Sequence, residues 1–371
     1  MRQLLIKPEL HKFNTCKEFC ETFNIGKNDL IITNEYIYNP NFSNLGIDTN
    51  LVFQEKYGSG EPSDEMVEAI IKDIKDIKYD RVIAIGGGTV IDISKIFALK
   101  NVSPVLDLFD KKLEIIKDKK LILVPTTCGT GSEVTNISIL ELKSRNTKMG
   151  LAVEQMYADY AVMIPELLKA LPFKFFATSS IDALIHAVES SVSPNSTPYT
   201  EIFAYKAMEM IINGYKEIIK NGKDYRINLL EEFLIASNYA GIAFSNSGVG
   251  AVHAMSYPLG AAYHVPHGEA NYVFFTEVFK TYTRLKPNGN IHKLNKFLSE
   301  LLGCDEAVVY EELENLLNNI ITKKSLKEYG TKEEELKNFT VNVMTNQGRL
   351  MANNYTELSE EKVYSIYKAL F

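Results

Sequence analysis

The sequence predicts an α/β half followed by an all-α half, and three observations lead there. Short β-rich runs alternate with helical patterns through the first half, whereas from about Leu171 helical periods dominate and strand-like alternation nearly disappears. The 371-residue length also exceeds what one hydrophobic core usually spans, so two domains are expected.

The strands read in order are DLIITN (29–34), NLVFQE (50–55), RVIAI (81–85) and KLILVP (120–125). Interleaved with helices, they are the signature of a parallel sheet wrapped on both faces. One helix is expected over 63–77, with Ser63 as N-cap and Met66, Val67, Ile70, Ile71, Ile74 and Ile77 forming a buried stripe. Another starts near Val90. Later come TEIFAYKAMEMIINGYKEIIK (200–220) and LLEEFLIASNYAGIAF (229–244), both helical in period. The join LPFKFFATSS (171–180) places the boundary near Phe175, giving a nucleotide-binding domain over 1–175 and a helical metal and substrate domain over 176–371. With no repeat and no low-complexity linker, the domains are expected to share an interface whose cleft binds ligand.

Composition excludes several classes of function. A formal charge of −7 without a basic block argues against nucleic acid as a partner. No apolar run approaches the roughly 18 residues of a membrane span, and MRQLLIKPELHKF lacks the apolar core of a secretory signal. Cys16, Cys20, Cys128 and Cys304 are too scattered for a disulfide framework. A cytoplasmic protein with reduced thiols is expected.

Two glycine loops follow buried strands. RVIAIGGGTVIDISK (81–95) runs from strand through Gly86, Gly87 and Gly88 into a helix opened by Thr89. Such glycines let backbone N–H groups approach a diphosphate at a helix N-terminus. VPTTCGTGSEVTN (124–136) adds two glycines and hydroxyls at Thr126, Thr127, Thr130, Ser132 and Thr135, neutral donors suited to phosphate and ribose. Each loop alone can be a tight turn or a surface turn; the pair implies a dinucleotide.

SSIDALIHAVES (179–190) places Asp182 and His186 four apart on one helix face, a carboxylate and an imidazole able to grip one divalent ion. GIAFSNSGVGAVHAMSYPLG (241–260) reads as a single helix stopped by Pro258 and Gly260, with His253 in its last turns. Pro266 then starts a new helix at His267. Histidines at the two ends of that bend can converge and, with Asp182 and His186, complete a set of one Asp and three His. The other reading leaves His253 in the core and His264 and His267 on a surface loop.

The motifs GGGTVIDISK, PTTCGTGSEVT, DALIHAVE, AGIAFSN and GAVHAMSYPLGAAYHVPHGEAN together resemble the iron-dependent, or group III, alcohol dehydrogenases along essentially the whole chain. The resemblance implies a Rossmann-like N-terminal domain and a helical metal-binding domain. It implies metal ligation by Asp182, His186, His253 and His267, and nucleotide contacts at Gly87, Gly88, Thr89, Thr126, Thr130 and Lys148, with Phe244 near the nicotinamide. Fe(II) or Zn(II) is the implied metal and NAD the implied cofactor, with NADP left open because Thr33-Asn34-Glu35 stands where an Asp commonly faces the adenosine ribose. The implied assembly is a homodimer or larger homo-oligomer.

Within that family the sequence is most similar to the branch interconverting 4-hydroxybutyrate and succinate semialdehyde in fermentation. Another short-chain alcohol is the alternative substrate. Two departures matter: Tyr257 stands where many members carry a histidine near the reacting centre, and Ser180 replaces a usual glycine. If that histidine relays protons, Tyr257 or His264 takes its place. In the expected mechanism the metal stabilises an alkoxide while the nicotinamide takes the hydride. The substrate carboxylate needs a donor, for which Arg349, beside Asn353 and Asn354, is the candidate; a surface arginine is the competing account. Two other classes stay open: a metal- and NAD-dependent lyase or cyclase of the dehydroquinate-synthase type, and a non-catalytic nucleotide-binding regulator.

Overall fold

The computed structural model describes residues 2–58, 60–145 and 147–371. Packing divides the chain into two compact units, one of Ile6–Leu171 and one of Pro172–Phe371 joined by the N-terminal residues up to Leu5. The sequence division at Phe175 assigned those first residues to the nucleotide domain. In the structure Leu5 and Asn246 exchange two hydrogen bonds, of 2.8 and 3.0 Å, and so tie the N-terminus to the helical unit.

The first unit carries strands β1 (Glu9–Lys12), β2 (Asp29–Thr33), β3 (Asn50–Phe53), β4 (Arg81–Gly86), β5 (Lys120–Pro125), β6 (Ile137–Leu142), β7 (Thr147–Ala152) and β8 (Tyr160–Met163). Six form one sheet in the order β1-β8-β5-β4-β2-β3, with every pairing parallel. The central strands are apolar runs because both faces are buried: Leu30–Ile32, Val82–Ile85 and Leu121–Val124 are fully buried. The helices of this unit are α1 (Cys16–Thr22), α2 (Glu35–Asn41), α3 (Asp64–Ile74), α4 (Gly88–Phe97) and α5 (Val105–Phe109), of which α3, α4 and α5 share one core with Leu30, Ile32, Val82, Ala84, Leu121 and Leu123 of the sheet. Ser63 caps α3, its hydroxyl accepting from Met66 N at 3.2 Å, and Ile77 lies past the end of that helix. Strands β6 and β7 pair as an antiparallel hairpin that the sequence reading did not detect.

Register places the functional loops. Gly86 pairs with Pro125 and Thr33 with Ile85, so both glycine loops and the end of β2 leave the sheet side by side at its carboxyl edge. The chain order reverses direction between β2 and β4, which is where open parallel sheets bind ligands.

The second unit is helical: α6 (Phe173–Val192), α7 (Pro198–Asn221), α8 (Leu230–Ser247), α9 (Ala251–Tyr263), α10 (His267–Leu285), α11 (Asn290–Leu302), α12 (Val309–Asn318), α13 (Glu335–Asn346), α14 (Gly348–Met351) and α15 (Glu360–Ala369). Residues 241–260, expected as a single helix, belong to two. Helix α8 ends at Ser247, and Gly248 leaves it with a φ of 79°, a conformation suited to glycine. Helix α9 then begins at Ala251, so His253 sits in a first turn rather than a last one. Pro258 does not stop α9, which runs on to Tyr263. Burial of Ala251–Ser256, Pro258 and Leu259 overrides the local penalty, and Tyr367 donates to the Met255 carbonyl at 2.7 Å, beside the Ala254 carbonyl that Pro258 deprives of a helical donor. No helix among the described residues is long and apolar enough to cross a membrane.

Candidate active site

Three helices bring four ligand-type side chains to one point. Asp182 and His186 lie one turn apart on buried α6, His253 comes from the first turn of α9, and His267 opens α10. Gly268 lets α10 approach α6: a Cβ there would stand 2.2 Å from the Thr178 carbonyl oxygen. The candidate ligand atoms all lie within 4.8 Å of one another. Asp182 Oδ1 is 3.8 Å from His253 Nε2 and 3.9 Å from His267 Nε2. Donors sharing one tetrahedral ion at about 2.1 Å stand roughly 3.4 Å apart, so the cluster needs little contraction to hold one.

The donor chemistry also fits. His253 Nε2 is buried without a hydrogen-bond partner, a costly arrangement unless a cation meets it. Its Nδ1 lies 2.5 Å from Glu189 Oε2, while Glu189 Oε1 accepts from Val252 N at 2.8 Å. Glu189 therefore holds the imidazole with Nδ1 protonated and Nε2 free to ligate. Asn271 Nδ2 donates to Asp182 Oδ1 at 2.7 Å and fixes that carboxylate. Burial raises the Asp182 carboxyl pKa, but His186, His267, His253 and Asn271 outweigh it and keep the group ionised. Burial lowers that of His253, and the Glu189 and Asp182 charges reverse the balance.

The sequence reading missed Glu189 and Asn271. Both carried a signal: Glu189 is seven residues after Asp182 and Asn271 four after His267, on the same helix faces.

The other candidates divide. Phe244 stacks on His186 with ring centroids 4.3 Å apart, and Tyr257, one turn beyond His253, lies 6.0 Å from the His267 ring. His264 ends α9 at a φ of 52°, exposed and outside the four-residue cluster. Ser180 is fully buried, with its hydroxyl 2.7 Å from Tyr215 OH. Arg349 is exposed on α14, which packs against α9, and its charge opposes protonation of His253. Asn353 and Asn354 pack on the link between α8 and α9: Asn353 Nδ2 donates to Val249 O at 3.3 Å, and a Cβ at Gly250 would meet Asn354 Oδ1 at 2.8 Å.

In the first unit the two glycine loops adjoin. Thr126 N donates to Gly86 O at 3.1 Å, and a Cβ on Gly88 would come within 3.0 Å of Thr130 Cγ2. Gly87 is the N-cap of α4, Thr89 Oγ1 donates to Gly60 O at 3.0 Å, and Lys148 Nζ lies 3.3 Å from Glu61 Oε1. Backbone donors at two strand ends, with few fixed charges, suit a diphosphate held by peptide groups.

The pattern for iron-containing alcohol dehydrogenases matches residues 10–165, and that for the C-terminal region of the Fe-containing alcohol dehydrogenase family matches residues 176–371. A 4-hydroxybutyrate dehydrogenase of Clostridium kluyveri is 55% identical over 371 residues, covering 100% of both chains. Long-chain-alcohol dehydrogenase 1 of Geobacillus thermodenitrificans is 35% identical over 84% of this chain and 80% of its own. Among solved structures, sulfoacetaldehyde reductase from Bifidobacterium kashiwanohense in complex with NAD+ superposes with a TM-score of 0.87 at 20% identity, covering 100% of this chain and 98% of that one.

Proposed function

Since the chain belongs to the iron-containing alcohol dehydrogenases, and is therefore an alcohol/aldehyde oxidoreductase, we propose that it interconverts 4-hydroxybutyrate and succinate semialdehyde with NAD and Fe(II). The four convergent donors Asp182, His186, His253 and His267 carry the reading. Bound among them, a divalent ion supplies Lewis acidity toward the substrate oxygen, and the nicotinamide supplies the hydride acceptor.

The chain's residues do the rest. Glu189 and Asn271 aim His253 and Asp182, and Phe244 walls the centre beside His186. Tyr257 is the hydroxyl proposed to handle the proton next to the cluster, with His264, exposed at the end of α9, as the solvent-side exchanger. Arg349 takes the substrate carboxylate. It is exposed on α14, which packs against α9, the helix that carries His253.

For the cofactor, Gly87, Gly88, Thr89, Thr126 and Thr130 are proposed to cradle the diphosphate, with Lys148 at the rim. NAD over NADP is favoured by Glu55 rather than by Asn34. The Glu55 carboxylate accepts from Asn34 Nδ2 at 2.9 Å and from Glu35 N at 2.6 Å, placing a negative charge at the end of β2. A 2′-phosphate there would be repelled, whereas a ribose hydroxyl could donate to it. A homo-oligomer in the cytoplasm belongs to the same reading. The lyase or cyclase alternative is not favoured, because the matched family is one of alcohol dehydrogenases.

The test follows NADH oxidation with succinate semialdehyde and with butyraldehyde, in wild type and Arg349→Met. Wild type is expected to prefer the carboxylated aldehyde, and the variant to lose that preference through KM. Equal kcat/KM for both aldehydes in wild type would defeat carboxylate recognition.

A further inference from the structure

The turn that follows α14 meets the link between α8 and α9 through two asparagines. Asn353 Nδ2 donates to the Val249 carbonyl at 3.3 Å and to the Arg349 carbonyl at 3.4 Å, two acceptors for its two N–H bonds, while Oδ1 accepts from Asn195 Nδ2 at 2.9 Å. The fit is close: a Cβ on Gly248 would stand 2.5 Å from Asn353 Nδ2. Asn354 seats the next glycine of the link. Its Oδ1 accepts from the buried Tyr282 hydroxyl at 3.0 Å, and a Cβ on Gly250 would meet the same oxygen at 2.8 Å.

The Asn353 amide bridges two segments that matter to the site. On one side, Val249 and Gly250 deliver the first turn of α9, where Val252 N donates to Glu189 Oε1 at 2.8 Å and His253 Nδ1 lies 2.5 Å from Glu189 Oε2. Displacing the Val249 peptide displaces that turn and its imidazole. On the other side is α14, in which only Leu350, 2% exposed, is buried. Gly348 and Arg349 are exposed, and a Cβ on Gly348 would meet nothing within 4 Å. A single turn anchored by one side chain keeps conformational freedom that a ligand on Arg349 removes. A metal ion does the same for the first turn of α9. With Asn353 joining them, ordering either segment lowers the cost of ordering the other, and the effect is mutual.

We propose that Asn353 is a positioning residue that couples two sites: a carboxylate held at Arg349 tightens the metal held by Asp182, His186, His253 and His267, and the metal tightens the carboxylate. Asn353 itself touches neither. The proposal rests on assigning the substrate carboxylate to Arg349 and a divalent ion to those four donors.

The experiment titrates Zn(II) out of full-length protein with a chelator, NAD+ being present throughout, with and without saturating butyrate. Butyrate offers the carboxylate but has no oxygen on its terminal carbon to reach the metal. Calorimetry reads butyrate binding to the loaded and metal-free forms of wild type, Arg349→Met, Asn353→Ala and Asn353→Asp. In wild type, butyrate is expected to lower the Kd for Zn(II) by on the order of 5-fold or more, the lower end of what coupled sites show. Asn353→Ala is expected to bring that ratio to about 1 while still binding both ligands. A purely structural role would weaken metal binding equally with and without butyrate and keep the wild-type ratio, which overturns the proposal. Butyrate that fails to bind wild type, or binds Arg349→Met equally well, overturns the carboxylate assignment and the coupling with it. Wild type that retains no Zn(II) does the same for the metal assignment. Butyrate that needs Arg349 yet leaves the Zn(II) Kd of wild type unchanged overturns the coupling alone. Should Asn353→Ala fail to fold, the isosteric Asn353→Asp decides, since its carboxylate keeps the bond from Asn195 and loses both donors: a ratio near unity supports the bridge, and a wild-type ratio overturns it.

Discussion

Replacing Glu189 by Gln tests how His253 is prepared for a metal. Two donors, His253 Nδ1–H and Val252 N–H, converge on the two oxygens of this carboxylate, which is 3% exposed and so unscreened by solvent. Gln has one acceptor oxygen, and whichever way its amide is turned one donor faces an NH2 group. If the lost bond is the one to His253, a charge-assisted interaction worth about 1.5–3 kcal/mol disappears. The imidazole is then free to take the tautomer that protonates Nε2, the ligating atom. An outer-shell partner of this kind is worth roughly 10- to 100-fold in metal affinity. The assay titrates Fe(II)- or Zn(II)-loaded protein with chelator and measures the metal retained, with thermal unfolding of the metal-free forms as a control for stability. Glu189→Gln should release metal at roughly 10- to 100-fold lower chelator strength. An unchanged midpoint with intact folding would show that Glu189 does not set the orientation of His253.

Gly268→Ala should lower both metal retention and Tm, because a Cβ 2.2 Å from the Thr178 carbonyl pushes α10 off α6; overpacking of this kind costs about 1–3 kcal/mol. Wild-type Tm and metal content would show that the two helices can shift without harm. Glu55→Gln should raise the ratio of kcat/KM for NADPH to that for NADH, and a constant ratio would remove Glu55 from cofactor choice. The Glu314 carboxyl is half-buried; burial raises its pKa, but the Lys323 ammonium and the Thr276 hydroxyl outweigh that and hold it below its usual value of 4.5. A depressed carboxyl pKa contributes stability that is fully present above the unfolded-state value and is lost as pH falls through the folded one. Glu314→Gln should therefore cost most stability near neutral pH and progressively less below about pH 4.5. Chemical denaturation at several pH values reads this, and a pH-independent difference would contradict it.

What the sequence could reveal depended on how local each signal was. Asp182 and His186 are legible because both their spacing and their geometry belong to one helix. The strand cores at Leu30–Ile32, Val82–Ile85 and Leu121–Val124 are legible because burial on both faces makes them uniformly apolar. The path between α8 and α9 was not. Gly248 and Gly250 look like packing residues inside a helix, and Pro258 looks like a stop, until tertiary contacts reverse both readings. Glu189 was hidden for a different reason. An acid on a helix is ordinarily solvated, and only the fold shows that two donors from the start of α9 meet it. The β6–β7 hairpin escaped because Ile137 and Ile139 are apolar on the face opposite the buried Leu140 and Leu142, which blurs the period-two pattern.

The bonds between Leu5 and Asn246, with that from Thr197 Oγ1 to Gln3 O, have a consequence for anyone cutting the protein apart. The sheet unit is an insertion: the polypeptide leaves the helical unit after Leu5 and re-enters it at Pro172. A fragment starting at Pro172 would lack its own first segment, and a chimera exchanging nucleotide units has to splice at two junctions instead of one. A circular permutant opened within the sheet unit would keep residues 2–5 and 172–371 covalently continuous only if the original termini were bridged, which makes the placement of that bridge the first decision in any such design.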